Sequence, residues 1–149
     1  MKIALLIIVG IVVIVLVCKL ESRRRKARIE AAFAGRERLT SEQFYERYFK
    51  EAGVPFSVVS GVRKVLEEEL GADLARMSAE DDFSRNLKFF WAFDDMADVA
   101  IVKALESHFD VSVTDAEAAD THTVSDIVSL IHSKELGSNA APVSDLKKI

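Results

Sequence analysis

The chain has 149 residues, half of them apolar, with 20 Lys and Arg against 24 Asp and Glu and a formal net charge of −4. Charge is unevenly shared: residues 1–50 hold 11 Lys and Arg against 5 Glu, whereas residues 51–149 hold 9 against 19. An acidic globular part argues against nucleic acid as partner and suits basic protein surfaces, and a single cysteine, Cys18, excludes an intrachain disulfide or a cysteine metal cluster.

Ile3 to Cys18 is an unbroken run of 16 residues drawn from Ile, Val, Leu, Ala, Gly and Cys. As a helix it spans about 24 Å at roughly 1.5 Å per residue, and Lys19 can snorkel to extend it. This predicts a transmembrane anchor over residues 1–20, short for a core of about 30 Å. A secretory signal would need a small-x-small cleavage site, whereas Lys19, Arg23, Arg24, Arg25, Lys26 and Arg28 follow instead. Only Lys2 and the amino terminus precede the run, so the positive-inside rule places residues 19–149 on the cytoplasmic side of an inner or plasma membrane. Arg23, Arg24, Arg25, Lys26 and Arg28 then meet lipid headgroups, or serve simply as a stop-transfer signal. Cys18 lies at headgroup depth, where acylation is conceivable and a small apolar residue is the plainer account.

Residues 21–53 read as a basic and aromatic helical neck. Arg23 to Arg38 carries a thin apolar stripe (Ile29, Ala32, Phe33) broken at Gly35. Thr40-Ser41-Glu42-Gln43 has the spacing of a capping box. Phe44, Tyr45, Tyr48 and Phe49 follow on one helical face, the pattern of core or of docking onto a neighbouring domain, and stop before Gly53-Val54-Pro55.

Residues 54–136 are predicted to form the globular domain. A helix over Ser57–Leu70 turns Val58, Val62, Val65, Leu66 and Leu70 inward and Arg63, Lys64, Glu67 and Glu68 outward, and Gly71 supplies a left-handed cap. A long loop, residues 72–93, leads to a helix over 94–109 that buries Val99, Val102, Leu105 and Phe109, flanked by Met96 and Ile101. Residues 115–119 make a short helical turn. Thr123 caps the last helix with Asp126 completing its box, and Val124, Ile127, Val128 and Ile131 pack inward. Residues 137–149 are expected to be a mobile tail. The fold class is all-α: a transmembrane helix, a linker helix and a four-helix bundle.

Four stretches carry a resemblance. Val62 to Gly71 matches the end of a first helix, and Phe83 and Leu87 match apolar anchors of a long loop. Asp94-Asp95-Met96 opens the next helix, and Phe109-Asp110-Val111-Ser112-Val113-Thr114-Asp115 leaves it. Thr123-Val124 starts the last helix. In order and spacing these resemble the acyl carrier protein family over about half the chain. The resemblance implies a helical carrier fold, protein partners from acyl-carrier pathways and a non-enzymatic role. It also exposes two departures. Where the family has the serine that holds phosphopantetheine, this chain has Asp95, which cannot form that phosphodiester, so no phosphopantetheine is expected. Lys88-Phe89-Phe90-Trp91-Ala92-Phe93 replaces a short glycine-containing link.

A helix start favours negative charge, so Asp94 is expected as a cap and Asp95 and Asp98 as first-turn acids. Asp95 is also a candidate permanent anion in place of the family's phosphate. Asp94, Asp98 and Glu106 are the candidate partner-docking acids. Phe89, Phe90, Trp91 and Phe93 either plug the acyl-chain cavity or contact a partner or the membrane. No catalytic residues are expected: Ser60, Ser84 and Ser107 have no neighbouring base on a predictable face. No metal site is expected, since His108, His122 and His132 lack ligand spacing and no calcium-loop pattern appears. Two other roles fit the residues: a divergent true carrier, and a structural or assembly protein that reuses the fold.

Overall fold

The computed structural model describes residues 2–92 and 96–139. They form six α-helices, α1 (Lys2–Ala32), α2 (Ser41–Tyr48), α3 (Phe56–Leu70), α4 (Ala97–Phe109), α5 (Asp115–Ala119) and α6 (Val124–Asn139), with a 3-10 turn at Lys88–Phe90. Among the described residues the only strand-like feature is an isolated antiparallel bridge between Asp82 and Thr123. The all-α expectation holds. By contacts the chain divides into two units, Met1–Gly35 and Arg36–Ile149.

The first unit is α1. No break separates an anchor ending at residue 20 from a neck beginning at 21. Residues 19–32 contain neither Gly nor Pro and are rich in Arg, Lys, Glu and Ala, so the helix continues through them. Gly35, at φ 72, follows its end. Large apolar side chains are exposed from Ile3 to Val17. Leu5, inside that run, has a side chain outside the described set, and the stretch from Leu6 to Arg23 already contains Lys19, Glu21 and Arg23. No helix among the described residues is long and apolar enough to cross a membrane. The transmembrane helix expected over residues 1–20 is therefore not found among them.

The second unit begins with the residues assigned above to the neck. The Thr40 capping box forms: its hydroxyl accepts from the Gln43 N–H at 3.2 Å, and the Gln43 side chain accepts from the Thr40 N–H at 2.9 Å. α2 ends at Tyr48, and Phe44 and Phe49 are buried with ring centroids 5.7 Å apart. Phe44 and Phe49 of the aromatic stripe are core, and Tyr45 and Tyr48 are half-buried. α2 packs on α3, so residues 36–53 belong to the globular unit.

α3 buries Val58, Val62, Val65, Leu66 and Leu70 as expected, and Gly71 caps it at φ 53. Arg63 does not face solvent as predicted; it is only 6% exposed. Its Nη2 donates to the Leu39 carbonyl at 2.9 Å, its Nε to Glu67 at 3.3 Å, and its guanidinium sits 5.4 Å from the Phe44 ring centre. A single-helix pattern leaves this side solvated; α2 covers it.

α4 packs against α3 at a point that only glycine allows. A Cβ on Gly61 would lie 2.7 Å from the Phe109 ring and 3.0 Å from His108. The buried face of α4 is Ala97, Ile101 and Leu105, an i, i+4 series. This corrects the predicted face: Met96 and Val99 are exposed, and Val102 and Phe109 are half-buried.

The loop between α3 and α4 is pinned from within. Leu74, Met77, Phe83 and Leu87 are buried. Asp81, 3% exposed, accepts both bonds of a forked contact from Arg36 at 2.8 Å, one from Asn86 and one from the Ser78 N–H. The Phe83 N–H donates to the His122 carbonyl, and the Val124 and Ser125 N–H groups donate to Asp81 and Ala79 carbonyls, which ties the loop to the start of α6. There the Thr123–Asp126 box closes as predicted, and Val124, Ile127, Val128 and Ile131 are buried. α6 runs to Asn139, so residues 137–139 are helical rather than tail. Residues 140–149 lie outside the described residues.

Candidate functional site

The candidate site is the start of α4 and the cleft beside it. α4 begins at Ala97, three residues later than predicted. Its N-cap position is Met96, at φ −111 and ψ 5 with no side-chain cap. Asp94, Asp95 and Phe93 lie outside the described residues. Asp98 is a first-turn acid, exposed, with one carboxylate oxygen accepting from the Val99 N–H at 2.7 Å. Without a capping side chain, the first turn relies on such acids to meet its free N–H groups.

The aromatic loop is positioned by the 3-10 turn. Phe90 is buried, and its ring lies 4.5 Å from that of half-buried Phe89. The Trp91 indole N–H donates to the Phe83 carbonyl at 2.9 Å, and the two rings are 5.5 Å apart. Phe90 is thus part of the buried core. Trp91 and Phe83 instead form a wall of a remaining cleft of about 490 Å³, whose other walls include Val99, Val102, Leu105 and Ile131.

The floor of the cleft is built by the exit from α4. Asp110 ends the helix in the left-handed region, φ 52 and ψ 48. This turn brings the Val113 N–H onto the Glu106 carboxylate at 2.7 Å. Glu106, predicted as a docking acid, is half-buried and lines the cleft, so its charge also holds the loop. Ala97 is buried and Ser107 exposed, and neither adds charge to the α4 surface.

A missed network closes the other side. Thr114 caps α5 in a box with Glu117, and Lys134 of α6 reaches Glu117 at 2.7 Å. The Lys134 bond, with the Thr114 N–H and hydroxyl, holds the Glu117 carboxyl at about 2, well below its ordinary 4.5. The signal was legible, since Thr114-Asp115-Ala116-Glu117 has capping-box spacing. Asp126 is also held low: burial opposes its ionisation, but the Thr123 N–H and hydroxyl and the His122 N–H outweigh it. Arg63 and Asp81 left no such signal, because their burial depends on distant segments.

Of the predicted lipid-contacting cations, Arg23, Arg24, Lys26 and Arg28 are exposed on α1 and Arg25 is half-buried. All five belong to the first unit. Among the described residues no group of three or more His, Cys, Asp or Glu is placed to hold a metal ion.

No family model matches the chain, and no solved structure matches it. Curated proteins do. It is 29% identical over 75 residues to an acyl carrier protein of Trieres chinensis, a match spanning 50% of this chain and 89% of that relative. It is 30% identical over 77 residues to an acyl carrier protein of Exiguobacterium sp., spanning 52% of this chain and 92% of that relative. A relative matched over almost its whole length agrees with the helical fold and with the motifs quoted above, and the chain belongs to the acyl carrier protein family.

Proposed function

We propose that this protein is a membrane-anchored carrier-fold module without a phosphopantetheine arm, which docks or scaffolds partners of an acyl or lipid biosynthetic pathway and catalyses no reaction itself. One feature supports this: by the motifs quoted above, Asp95 stands where the family's motif has its serine. A carboxylate offers no hydroxyl for the phosphodiester, yet its charge suits a helix start. Asp94 and Asp98 supply further negative charge for a basic partner surface, and Glu106 adds to it from the cleft edge. Anchoring is supported by the apolar run from Ile3 to Cys18 and by the cations that follow it, which favour a cytoplasmic domain.

The test is intact mass after exposure to coenzyme A and a promiscuous phosphopantetheinyl transferase. The wild-type chain is expected to gain nothing, and Asp95→Ser to gain one phosphopantetheine. Modification of the wild type would refute the armless reading. If partner binding is the same in wild type, Asp95→Ala and Asp95→Lys, the charge at 95 has no docking role.

The open cleft favours a second reading. An apolar space of about 490 Å³ beside α4 is large enough for part of an acyl chain, which suits a divergent carrier modified at another residue. Mapping a pantetheine to any residue of the wild-type protein would decide for it.

A further inference from the structure

We infer that the exposed cations of α1 form a collar, open on one side, that gathers anionic phospholipid headgroups around the helix. The inference rests on the anchoring reading above and deepens it by naming the lipid class. α1 is continuous from Lys2 to Ala32, so its apolar and basic segments share one axis. At about 100° per residue, Lys19, Arg23, Arg24, Arg25, Lys26 and Arg28 fall at roughly 0°, 40°, 140°, 240°, 340° and 180° around that axis. Arg25 is half-buried, and the five exposed cations leave one gap of roughly 160°, between Arg28 and Lys26. Glu21 is the only acid among residues 19–28.

The arrangement separates two ways of meeting a membrane. A helix lying on a surface needs a basic stripe beside an apolar one. Here the described apolar side chains between Ile3 and Val17 are exposed, and residues 3–18 include no polar residue that could form such a stripe. A helix entering the headgroup layer end-on is met by lipid around its circumference, and the exposed cations cover most of that circumference. Lys19, Arg23, Arg24, Lys26 and Arg28 are exposed. Four of the six cations are arginines, whose planar fork pairs with phosphate oxygens in two parallel bonds.

Charge selects the occupant. A neutral phospholipid cancels its phosphate with its own cation, whereas an anionic one leaves that charge for the collar. The second unit holds 13 Lys and Arg against 22 Asp and Glu, so an anionic surface repels it. Enrichment of anionic lipid is therefore assigned to α1.

The test uses the full chain in bilayers mixing phosphatidylcholine with a minority of phosphatidylglycerol. After mild detergent extraction, the phospholipid retained by the protein is measured by mass spectrometry. Phosphatidylglycerol is expected to be enriched over the bulk by roughly fivefold. The enrichment should vanish when all six cations are replaced by Gln, and shrink at high salt. A wild-type chain that stays in the bilayer without enrichment, or a Gln variant that keeps it, overturns the collar and leaves the anchor standing. A chain that fails to stay in neutral bilayers overturns the anchor and the collar together.

Discussion

Single residues in this domain differ in importance according to what surrounds them. Arg63 is the sharpest case, because its guanidinium satisfies the Leu39 carbonyl and lies against Phe44. Arg63→Ala should cost about 2–3 kcal/mol in denaturant unfolding, through lost packing and an unsatisfied buried carbonyl. Arg63→Lys should recover only part of that. Glu117 makes a pH prediction. Its carboxyl is lowered from 4.5 to about 2 by Lys134 and Thr114. A depressed carboxyl stabilises the fold fully above its unfolded value and loses that contribution as the pH falls from 4.5 towards 2. Thermal unfolding of wild type should therefore fall off faster across that window than unfolding of Glu117→Gln. Parallel curves would show that the bond to Lys134 contributes nothing. Both residues were visible as letters, but only Glu117 sat in a local pattern that announced its partner.

Among the elements, the α3–α4 contact sets the position of the site. Gly61 lets the Phe109 ring approach within 2.7 Å of where a Cβ would stand. Gly61→Ala gains about 1 kcal/mol of helix propensity but crowds that ring, and a net loss of about 1–2 kcal/mol is expected. In a Phe109→Leu background the crowding should ease and the same change should become neutral or stabilising. A double-mutant cycle reads the difference. Helix positions and caps were mostly legible: α2, α3, α5 and α6 begin at or within one residue of their predicted starts, because Thr40, Pro55, Thr114 and Thr123 act through neighbours in sequence. The start and inward face of α4 were not legible. Several apolar residues offered alternative stripes, and the choice was made by packing against α3 and α6.

For the molecule as a whole, the boundary of the globular unit is the main revision. The unit begins at Arg36, and Leu39, Phe44 and Phe49 are part of its core. A protein cut to start at Val54 should lose cooperative unfolding or most of its stability, whereas one starting at Arg36 should keep it. Equal thermal transitions for the two would show that α2 is an ornament on the fold.

Local and compositional terms were settled by the sequence alone: the all-helical class, the caps at Thr40 and Thr123, the apolar run, the asymmetry of charge and the family. Each depends on residues close in the chain, or on identity at one position. Tertiary structure decided which stripe of α4 is buried, that Arg63 and Asp81 are enclosed, and that Phe90 fills the core while Trp91 leaves a cleft. Those outcomes depend on contacts between segments tens of residues apart, where burial and hydrogen-bond satisfaction are decided jointly rather than by any one stretch of chain.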